Sequence, residues 1–279
     1  MKKEEFILQS KQSKEILIDV TYNQNSFNKK VIIFSHGFKG FKDWGPFNKI
    51  AHHFALNGFF FLKLNFSHNG TNSKNPVDFV DLDAFGNNNF SIELDDLSTV
   101  IDWLLDNKKF EKQIDKSNVS LIGHSRGGAI SILKSIVDKR INRVISWAAP
   151  ADLLNRLPKQ DKLQKWKVDN VLYVFNGRTK QNMPLYFQFY KNCMKNKSKL
   201  NLKMMLNKIQ IPQLIIHGSN DSTVLIKDAY LLKEWNNNAQ LVIIDGADHV
   251  FGGFHPYNLD YFPRHLEILL TKTILFLKD

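Results

Sequence analysis

Short apolar runs alternate along the chain with longer segments that place apolar residues every three or four positions. Glu15–Tyr22 alternates apolar and polar residues, which is typical of a half-buried edge strand. Consecutive apolar residues predict further strands at 30–34, 59–66, 119–122, 143–147, 213–216 and 241–244. Helical spacing predicts helices at Phe47–Leu56, 126–138 and 228–235, and a last helix with an apolar face from Leu266 to Leu277.

Two polar or irregular stretches interrupt this alternation. Residues 67–89 are rich in Asn, Asp and Ser, which predicts a long loop. Ser91 then follows as the predicted cap of a helix, with acidic residues in its first turn and an apolar face from Leu97 to Leu105. Residues 151–210 lack a clear strand–helix repeat and are rich in aromatic residues and methionine. We expect them to form a partly helical insertion over the ends of the strands.

Apolar strands that alternate with helices predict an α/β protein with a mostly parallel central sheet and helices on both faces. No internal repeat or low-complexity linker divides the chain. We therefore expect one domain over residues 1–279, with a small cap formed by residues 151–210 inside it.

Composition and charge narrow the class of protein. The formal net charge is +11, but the lysines are scattered and form no dense block or nucleic-acid module, so nucleic acid is not an expected partner. The sequence has no run of about 18 apolar residues, so we expect no membrane span. Its N-terminus also lacks the apolar core of a signal peptide. Cys193 is the only cysteine, which fits a reducing compartment. We expect a cytoplasmic protein, and the pattern leaves its oligomeric state open.

The segment GHSRGG, residues 123–128, lies where a predicted strand meets a predicted helix. Glycines at 123 and 127 remove side chains that would clash in so sharp a turn, and Ser125 stands at its apex. A G-x-S-x-G sequence between a strand and a helix indicates a nucleophile elbow, which exposes the serine hydroxyl for reaction. We therefore predict that Ser125 is a nucleophile.

A serine nucleophile needs a histidine base and a carboxylate, and in this arrangement they follow the serine in the order acid, then base. His249 lies in a loop just after the last predicted strand, and Asp221 follows the strand before it. We predict His249 as the base and Asp221 as the acid. Asp152 remains an alternative acid, and His255 and His265 are weaker candidates for the base.

Negative charge that develops on a carbonyl oxygen needs backbone donors. The N–H of Arg126, the residue after the nucleophile, is one candidate. The second is the N–H of Phe38, in the loop SHGFKG at residues 35–40, where Gly37 and Gly40 allow the chain to turn inward. Roles for Lys39, His68 and the 67–89 loop stay open.

Taken together, SHGFKG, GHSRGG, HGSND (217–221) and GADH (246–249) resemble the α/β-hydrolase superfamily of serine hydrolases over nearly the whole chain. Within it, the chain is similar to the branch of cinnamoyl and feruloyl esterases and dienelactone-hydrolase-like proteins, whose members carry a small cap before the catalytic acid. Dienelactone hydrolases proper carry a cysteine at the nucleophile position, where this chain has Ser125. The resemblance implies an α/β-hydrolase fold, a triad of Ser125, Asp221 and His249, and oxyanion donors at Phe38 and Arg126.

The chemistry expected of these residues is hydrolysis of a small-molecule ester through an acyl-enzyme, with no metal or organic cofactor. The aromatic and methionine residues of the insertion predict either an apolar acyl or aryl pocket or the core of the cap itself. A serine peptidase, a thioesterase and a C–C hydrolase would use the same triad. A binding protein that keeps the fold without catalysis is the alternative of a different class, and binding without turnover would identify it.

Overall fold

The computed structural model describes all 279 residues. Its strands are β1 (Lys2–Gln9), β2 (Glu15–Tyr22), β3 (Lys29–Ser35), β4 (Phe60–Asn65), β5 (Ile114–His124), β6 (Ile141–Trp147), β7 (Val171–Asn176), β8 (Gln181–Tyr186), β9 (Gln213–Gly218) and β10 (Gln240–Ile244). Its helices are α1 (Phe47–Leu56), α2 (Leu82–Asn87), α3 (Phe90–Asp106), α4 (Arg126–Val137), α5 (Gln160–Asp169), α6 (Gln188–Lys195), α7 (Leu202–Leu206), α8 (Lys227–Trp235) and α9 (Arg264–Lys278).

Eight strands form the central sheet in the order β1-β2-β4-β3-β5-β6-β9-β10. The pairs from β4 to β10 are parallel, whereas β1 and β2 are antiparallel to their neighbours. The predicted α/β class with a mostly parallel sheet is confirmed. None of the helices combines the length and apolarity that crossing a membrane requires.

Successive residues of the inner strands point to opposite faces of the sheet, so each face has its own apolar core. On one face, Ile32 and Phe34 of β3 pack in a cluster with apolar residues of α1 and α9. On the other face, Val31 and Ile33 belong to a larger cluster that includes residues of α3, α4 and α8. The continuous apolar runs read from the sequence are therefore strands covered by helices on both sides.

Four details differ from the sequence predictions. The 67–89 segment contains the short helix α2, and β1 lies in an N-terminal stretch for which the pattern predicted no strand. Helix α3 begins at Phe90, one residue before Ser91, and its cap is Asn89, whose side chain accepts a hydrogen bond from the Ile92 amide. Ser91 instead donates its hydroxyl to Asn192 of α6.

The segment 151–210 is helical in part, as predicted, and also contains a hairpin that the pattern did not reveal. Strands β7 and β8 pair antiparallel outside the central sheet. Along the chain, α5 precedes this hairpin, and α6 and α7 follow it. The hairpin was missed because β7 has little alternation and β8 contains Pro184, which weakens a strand signal.

Candidate active site

Ser125 lies between β5 and α4 in a backbone conformation that side chains rarely adopt. Its φ is 55° and its ψ is −126°, and strain of this kind costs about 1–3 kcal/mol. The turn is tight because a Cβ on Gly123 would lie 2.2 Å from the Gly127 carbonyl oxygen, and a Cβ on Gly127 would lie 2.4 Å from the carbonyl oxygens of Ser35 and His36. The glycines of the motif therefore allow the backbone approach that lifts the Ser125 hydroxyl out of the sheet.

The structure brings His249 and Asp221 to Ser125. His249 Nε2 lies 3.0 Å from Ser125 Oγ, and His249 Nδ1 lies 2.7 Å from Asp221 Oδ2. A ring that donates from Nδ1 to a carboxylate is an acceptor at Nε2, so the Ser125 hydroxyl donates to it. This is the arrangement in which an imidazole removes a proton from a serine.

Asp221 is held as a carboxylate by several donors. Its Oδ1 accepts hydrogen bonds from the backbone N–H groups of Thr223 and Val224, each at 2.8 Å. Burial alone would raise the pKa of Asp221, but hydrogen bonds from His217, His249 and the Val224 amide hold it well below its ordinary value. An ionised Asp221 fixes the tautomer of His249 and would stabilise the ring once it is protonated.

His217 and His124 support the site without reaching the serine. His217 is fully buried, and its Nε2 contacts the Val224 carbonyl at 2.8 Å and Asp221 Oδ2 at 3.3 Å. His124 Nε2 lies 2.8 Å from the His249 carbonyl oxygen, so it donates there and anchors the loop that carries the base. Burial lowers the pKa of His124 to about 3, which keeps that ring neutral. Chain order removed both residues from the list of bases, and their supporting contacts depend on tertiary packing.

The two predicted oxyanion donors lie beside Ser125. The N–H of Phe38 has no acceptor within the protein, and Arg126 is the first residue of α4, where the N–H has no acceptor inside the helix. Gly37 brings the first loop close, since a Cβ there would lie 2.9 Å from Ser125 Cβ and 3.5 Å from its Oγ. Two free donors next to a nucleophile are suited to hold a developing oxyanion.

The Arg126 side chain turns away from the reacting hydroxyl and ties three helices together. Its Nε and Nη2 lie 3.0 and 2.9 Å from the two carboxylate oxygens of Glu93 in α3. Its guanidinium also lies 4.5 Å from the ring centroid of Phe90 and 5.2 Å from that of Phe189 in α6. The sequence suggested that Glu93 serves the positive end of its helix, whereas packing places it against Arg126.

The family model described as BD-FAE matches residues 19–236, which include the nucleophile turn and Asp221. The chain belongs to the BD-FAE family. It is therefore an esterase-type α/β hydrolase, as its motifs predicted. His249 lies beyond the matched range, and its place in the site rests on the contacts described above.

Individual relatives of this BD-FAE protein are distant. It is 27% identical over 239 residues to "Putative esterase/lipase 2" of Mycoplasma pneumoniae, a match that covers 78% of this chain and 81% of that protein. It is also 27% identical over 122 residues to "Uncharacterized peptidase YtmA" of Bacillus subtilis, which covers 43% of this chain and 42% of that protein. The structure of Est1E from Butyrivibrio proteoclasticus with ferulic acid bound superposes with a TM-score of 0.74 at 16% identity, covering 98% of both chains.

The other acid and base candidates in this BD-FAE protein make different contacts. Asp152 is exposed and accepts hydrogen bonds from the backbone amides of Leu154 and Asn155. His255 accepts a hydrogen bond from the Gly45 amide, and His265 lies on α9. None of the three contacts Ser125 or His249 by hydrogen bond.

Two cavities meet at Ser125 in this BD-FAE protein. The larger, of about 430 Å³, has mostly apolar walls that include Val174, Leu185 and Phe189 of the 151–210 segment. The smaller, of about 220 Å³, lies along the 36–40 loop. Lys39 lines both cavities, whereas His68 and the rest of the 67–89 segment line neither. The aromatic residues of the 151–210 segment serve both predicted purposes. Trp166 is buried in the core, and Phe189 lines the larger cavity.

Proposed function

We propose that the protein hydrolyses small carboxylic esters with Ser125 as nucleophile, His249 as base and Asp221 as the acid that orients it. The observation that carries the proposal is the continuous chain of contacts from Asp221 Oδ2 through the His249 ring to Ser125 Oγ, at 2.7 and 3.0 Å. These distances lie within the range for proton transfer between a nucleophile and its base.

The reaction follows from the direction of each hydrogen bond. His249 Nε2 takes the hydroxyl proton as Ser125 Oγ attacks the ester carbonyl, and the N–H groups of Phe38 and Arg126 receive the oxyanion. The protonated ring then donates the proton to the departing alcohol, which leaves an acyl-enzyme. Water repeats the sequence, and the acid is released with Ser125 restored.

The apolar cavity is proposed as the site of the acyl group. Val174, Leu185 and Phe189 line it together with Ser125, and no acidic residue is among its walls. Apolar surface of this kind gains free energy when an aliphatic or aryl acyl group displaces water from it. We propose on the same basis that residues 151–210 act as a cap within a single domain.

The test is the hydrolysis of p-nitrophenyl esters from acetate to octanoate by the wild type and by Ser125→Ala. We expect turnover that rises with chain length until the cavity is filled, and a loss of at least about 10⁴-fold in the variant. Ser131→Ala is the matched control, because Ser131 lies on α4, is fully buried and has a hydroxyl without a hydrogen-bond partner. Activity that survives in Ser125→Ala would contradict the proposal.

A peptidase reaction on the same residues is the second candidate, since one relative carries a peptidase description. An amide nitrogen leaves less readily than an alkoxide and depends more on protonation by His249. Matched p-nitroanilides of the same acids, assayed beside the esters, decide between the two. We expect the esters to be cleaved with the higher kcat/KM.

A further inference from the structure

The smaller cavity beside Ser125 is lined by Lys39, Asn176 and Arg178 as well as by apolar residues. Its apolar walls are Phe38, Trp44, Phe47 and Val250, and its other lining residues are polar, charged or glycine. No aspartate or glutamate lines it, although it carries two cationic residues, Lys39 and Arg178. The larger cavity also has cationic residues and no acidic residue in its walls, so the donors described next, rather than charge alone, distinguish the smaller one.

Lys39 has no counter-ion. Its Nζ donates a hydrogen bond to the carbonyl oxygen of Phe175 at 3.1 Å, and no carboxylate lies within 4.0 Å of it. The residue is partly buried in the loop that also carries the Phe38 amide. An ammonium group at the edge of a cleft keeps two further N–H donors for a ligand.

Asn176, at the end of β7, offers a second free donor. The side chain is 5% exposed, and its Oδ1 accepts the Arg178 backbone N–H at 3.1 Å, which fixes the orientation of the amide. Its Nδ2 has no acceptor. Buried donors are nearly always paired, so an orphaned amide that lines the cavity indicates a missing acceptor from a ligand.

Arg178 adds charge at the rim. Its guanidinium lies 4.9 Å from the ring centroid of Phe41 and donates to the Val77 carbonyl at 2.8 Å. Its nearest carboxylate is Asp78, at 3.5 Å and 60% exposed, which screens its charge only weakly. Arg178 therefore adds a weakly screened positive charge to the cavity that Lys39 and Asn176 also line.

We propose that this smaller cavity, which we call the anion subsite, binds a carboxylate or phosphate group of the ester substrate through Lys39 Nζ and Asn176 Nδ2. The inference rests on the proposed function, because the anionic group is placed there while the scissile carbonyl lies at Ser125. Trp44 and Phe47 provide the apolar walls that an aryl or short alkyl group bearing the anion requires. The substrate class is therefore an ester with one anionic end.

The anion can belong to either half of the ester, and two matched pairs of substrates distinguish these sources. For the alcohol half, p-carboxyphenyl butyrate is compared with p-carbamoylphenyl butyrate. For the acyl half, the mono-p-nitrophenyl ester of glutaric acid is compared with that of glutaramic acid. Each pair differs only by a carboxylate against an isosteric neutral amide. We expect the anionic member of one pair to have the higher kcat/KM, by about tenfold.

Three variants assign that preference to the subsite. Lys39→Met removes the charge and keeps the unbranched stem, and we expect it to lower kcat/KM for the anionic ester about tenfold more than for its neutral partner, so that the preference is lost. Asn176→Asp keeps the acceptor for the Arg178 amide and places a carboxylate in the subsite. It should therefore lower the preference for the anionic ester below that of Lys39→Met. Lys180→Met is the control, because Lys180 has a positive φ like Lys39, lies in the hairpin that carries Asn176, and is exposed.

The outcomes separate the two proposals. Neutral esters that are cleaved as fast as anionic ones, or a preference that Lys39→Met and Lys180→Met change alike, would overturn the anion subsite and leave the esterase proposal standing. If no ester is cleaved, the proposed function fails, and calorimetric binding of p-hydroxybenzoate and of glutarate to the wild type then decides the subsite. Binding of either acid that Lys39→Met weakens supports the subsite, and no binding of either overturns it.

Discussion

Among single residues, the side chains of the site are those whose orientation is fixed by hydrogen bonds. Asp221 illustrates this, since both of its oxygens are engaged: Oδ1 accepts two backbone N–H groups and Oδ2 accepts the His249 ring. The backbone donors fix the carboxylate, and the carboxylate fixes the ring. Ser125 therefore meets an imidazole already in the required tautomer.

Asp221→Asn tests that role. The amide is nearly isosteric, but its oxygen keeps the backbone N–H donors of Thr223 and Val224, so its NH2 group faces His249 Nδ1 and forces the tautomer that is protonated at Nε2. We expect kcat for p-nitrophenyl butyrate to fall by about 10⁴-fold. Asp152→Asn, at the other candidate acid, is the control and should keep wild-type kcat. The reverse result for the two variants would assign the acid to Asp152.

His36 predicts a dependence of stability on pH. Burial lowers the pKa of His36 from 6.5 to about 4 in the folded protein. The unfolded chain binds that proton near pH 6.5, so the contribution to stability is complete above pH 6.5 and decreases as the pH falls towards 4. We expect His36 to account for about 3 kcal/mol of lost unfolding free energy between pH 7 and pH 4.

Urea unfolding at the two pH values measures this effect. His36→Asn should be less stable than the wild type at pH 7 but should lose about 3 kcal/mol less on acidification. Equal losses in both proteins would show that His36 titrates normally in the fold.

Among the secondary-structure elements, the strand–turn–helix of β5 and α4 is the unit that presents Ser125, the proposed nucleophile. Its packing tolerates no side chain at Gly123, where a Cβ would meet the carbonyl group of Gly127. The same turn leaves the N–H of Arg126, the first residue of α4, without an acceptor inside the helix. Fold and chemistry thus depend on one local conformation.

Gly123→Ala tests that dependence. We expect a loss of at least about 3 kcal/mol of unfolding free energy, because a backbone carbonyl cannot move aside as a side chain can. Gly177→Ala is the matched control, since no atom lies within 4 Å of the added Cβ, and it should stay within about 0.5 kcal/mol of the wild type. A Gly123→Ala protein of wild-type stability would contradict the tight turn.

The Arg126–Glu93 pair joins α4 to α3, and both side chains are nearly buried, at 11% and 5% exposure. Glu93→Gln leaves a guanidinium charge without a carboxylate, so we expect a loss of about 3–5 kcal/mol in unfolding free energy. Asp102→Asn is the control, because Asp102 of α3 pairs with Arg140 at an exposed position. Its loss should stay under about 1 kcal/mol. Similar losses for the two variants would mean that burial adds nothing to the first pair.

In the whole molecule, the central sheet places the residues of the site together. The net positive charge of the chain adds a long-range electrostatic effect. Ser125, Asp221 and His249 each follow a parallel strand, so their loops meet at one edge of the sheet. A formal net charge of +11 over 279 residues gives the surface a long-range attraction for anions. Under the proposal of an anionic ester, this attraction would act on the substrate before it reaches the cavity.

Ionic strength measures this attraction. We expect kcat/KM for the anionic glutarate ester to fall several-fold between about 0.05 and 0.5 M NaCl, as the Debye length shortens, and the neutral glutaramate ester to change little. Lys39→Met should keep most of this salt dependence, because it removes one unit of the total charge. An anionic ester whose rate ignores salt would show that the scattered lysines do not steer substrates.

The local pattern of residues is enough to predict several features of this protein. Apolar runs between helical segments predict a two-faced parallel sheet, and glycines around Ser125 predict a tight elbow, because close backbone contact requires small residues at fixed spacing. Chain order and the ends of strands also selected Asp221 and His249 from the available acids and histidines. These signals lie within a few residues of the feature they describe.

Features that join distant segments follow from the packing of the folded chain. The hairpin of β7 and β8 brings Asn176 and Arg178 beside Lys39, although more than 130 residues separate them along the chain. The sequence places Glu93 in the first turn of a helix, but only the folded structure shows that it is buried and paired with Arg126. Whether a polar side chain is solvated, paired or left as a free donor depends on which segments pack around it, and that is a property of the folded chain.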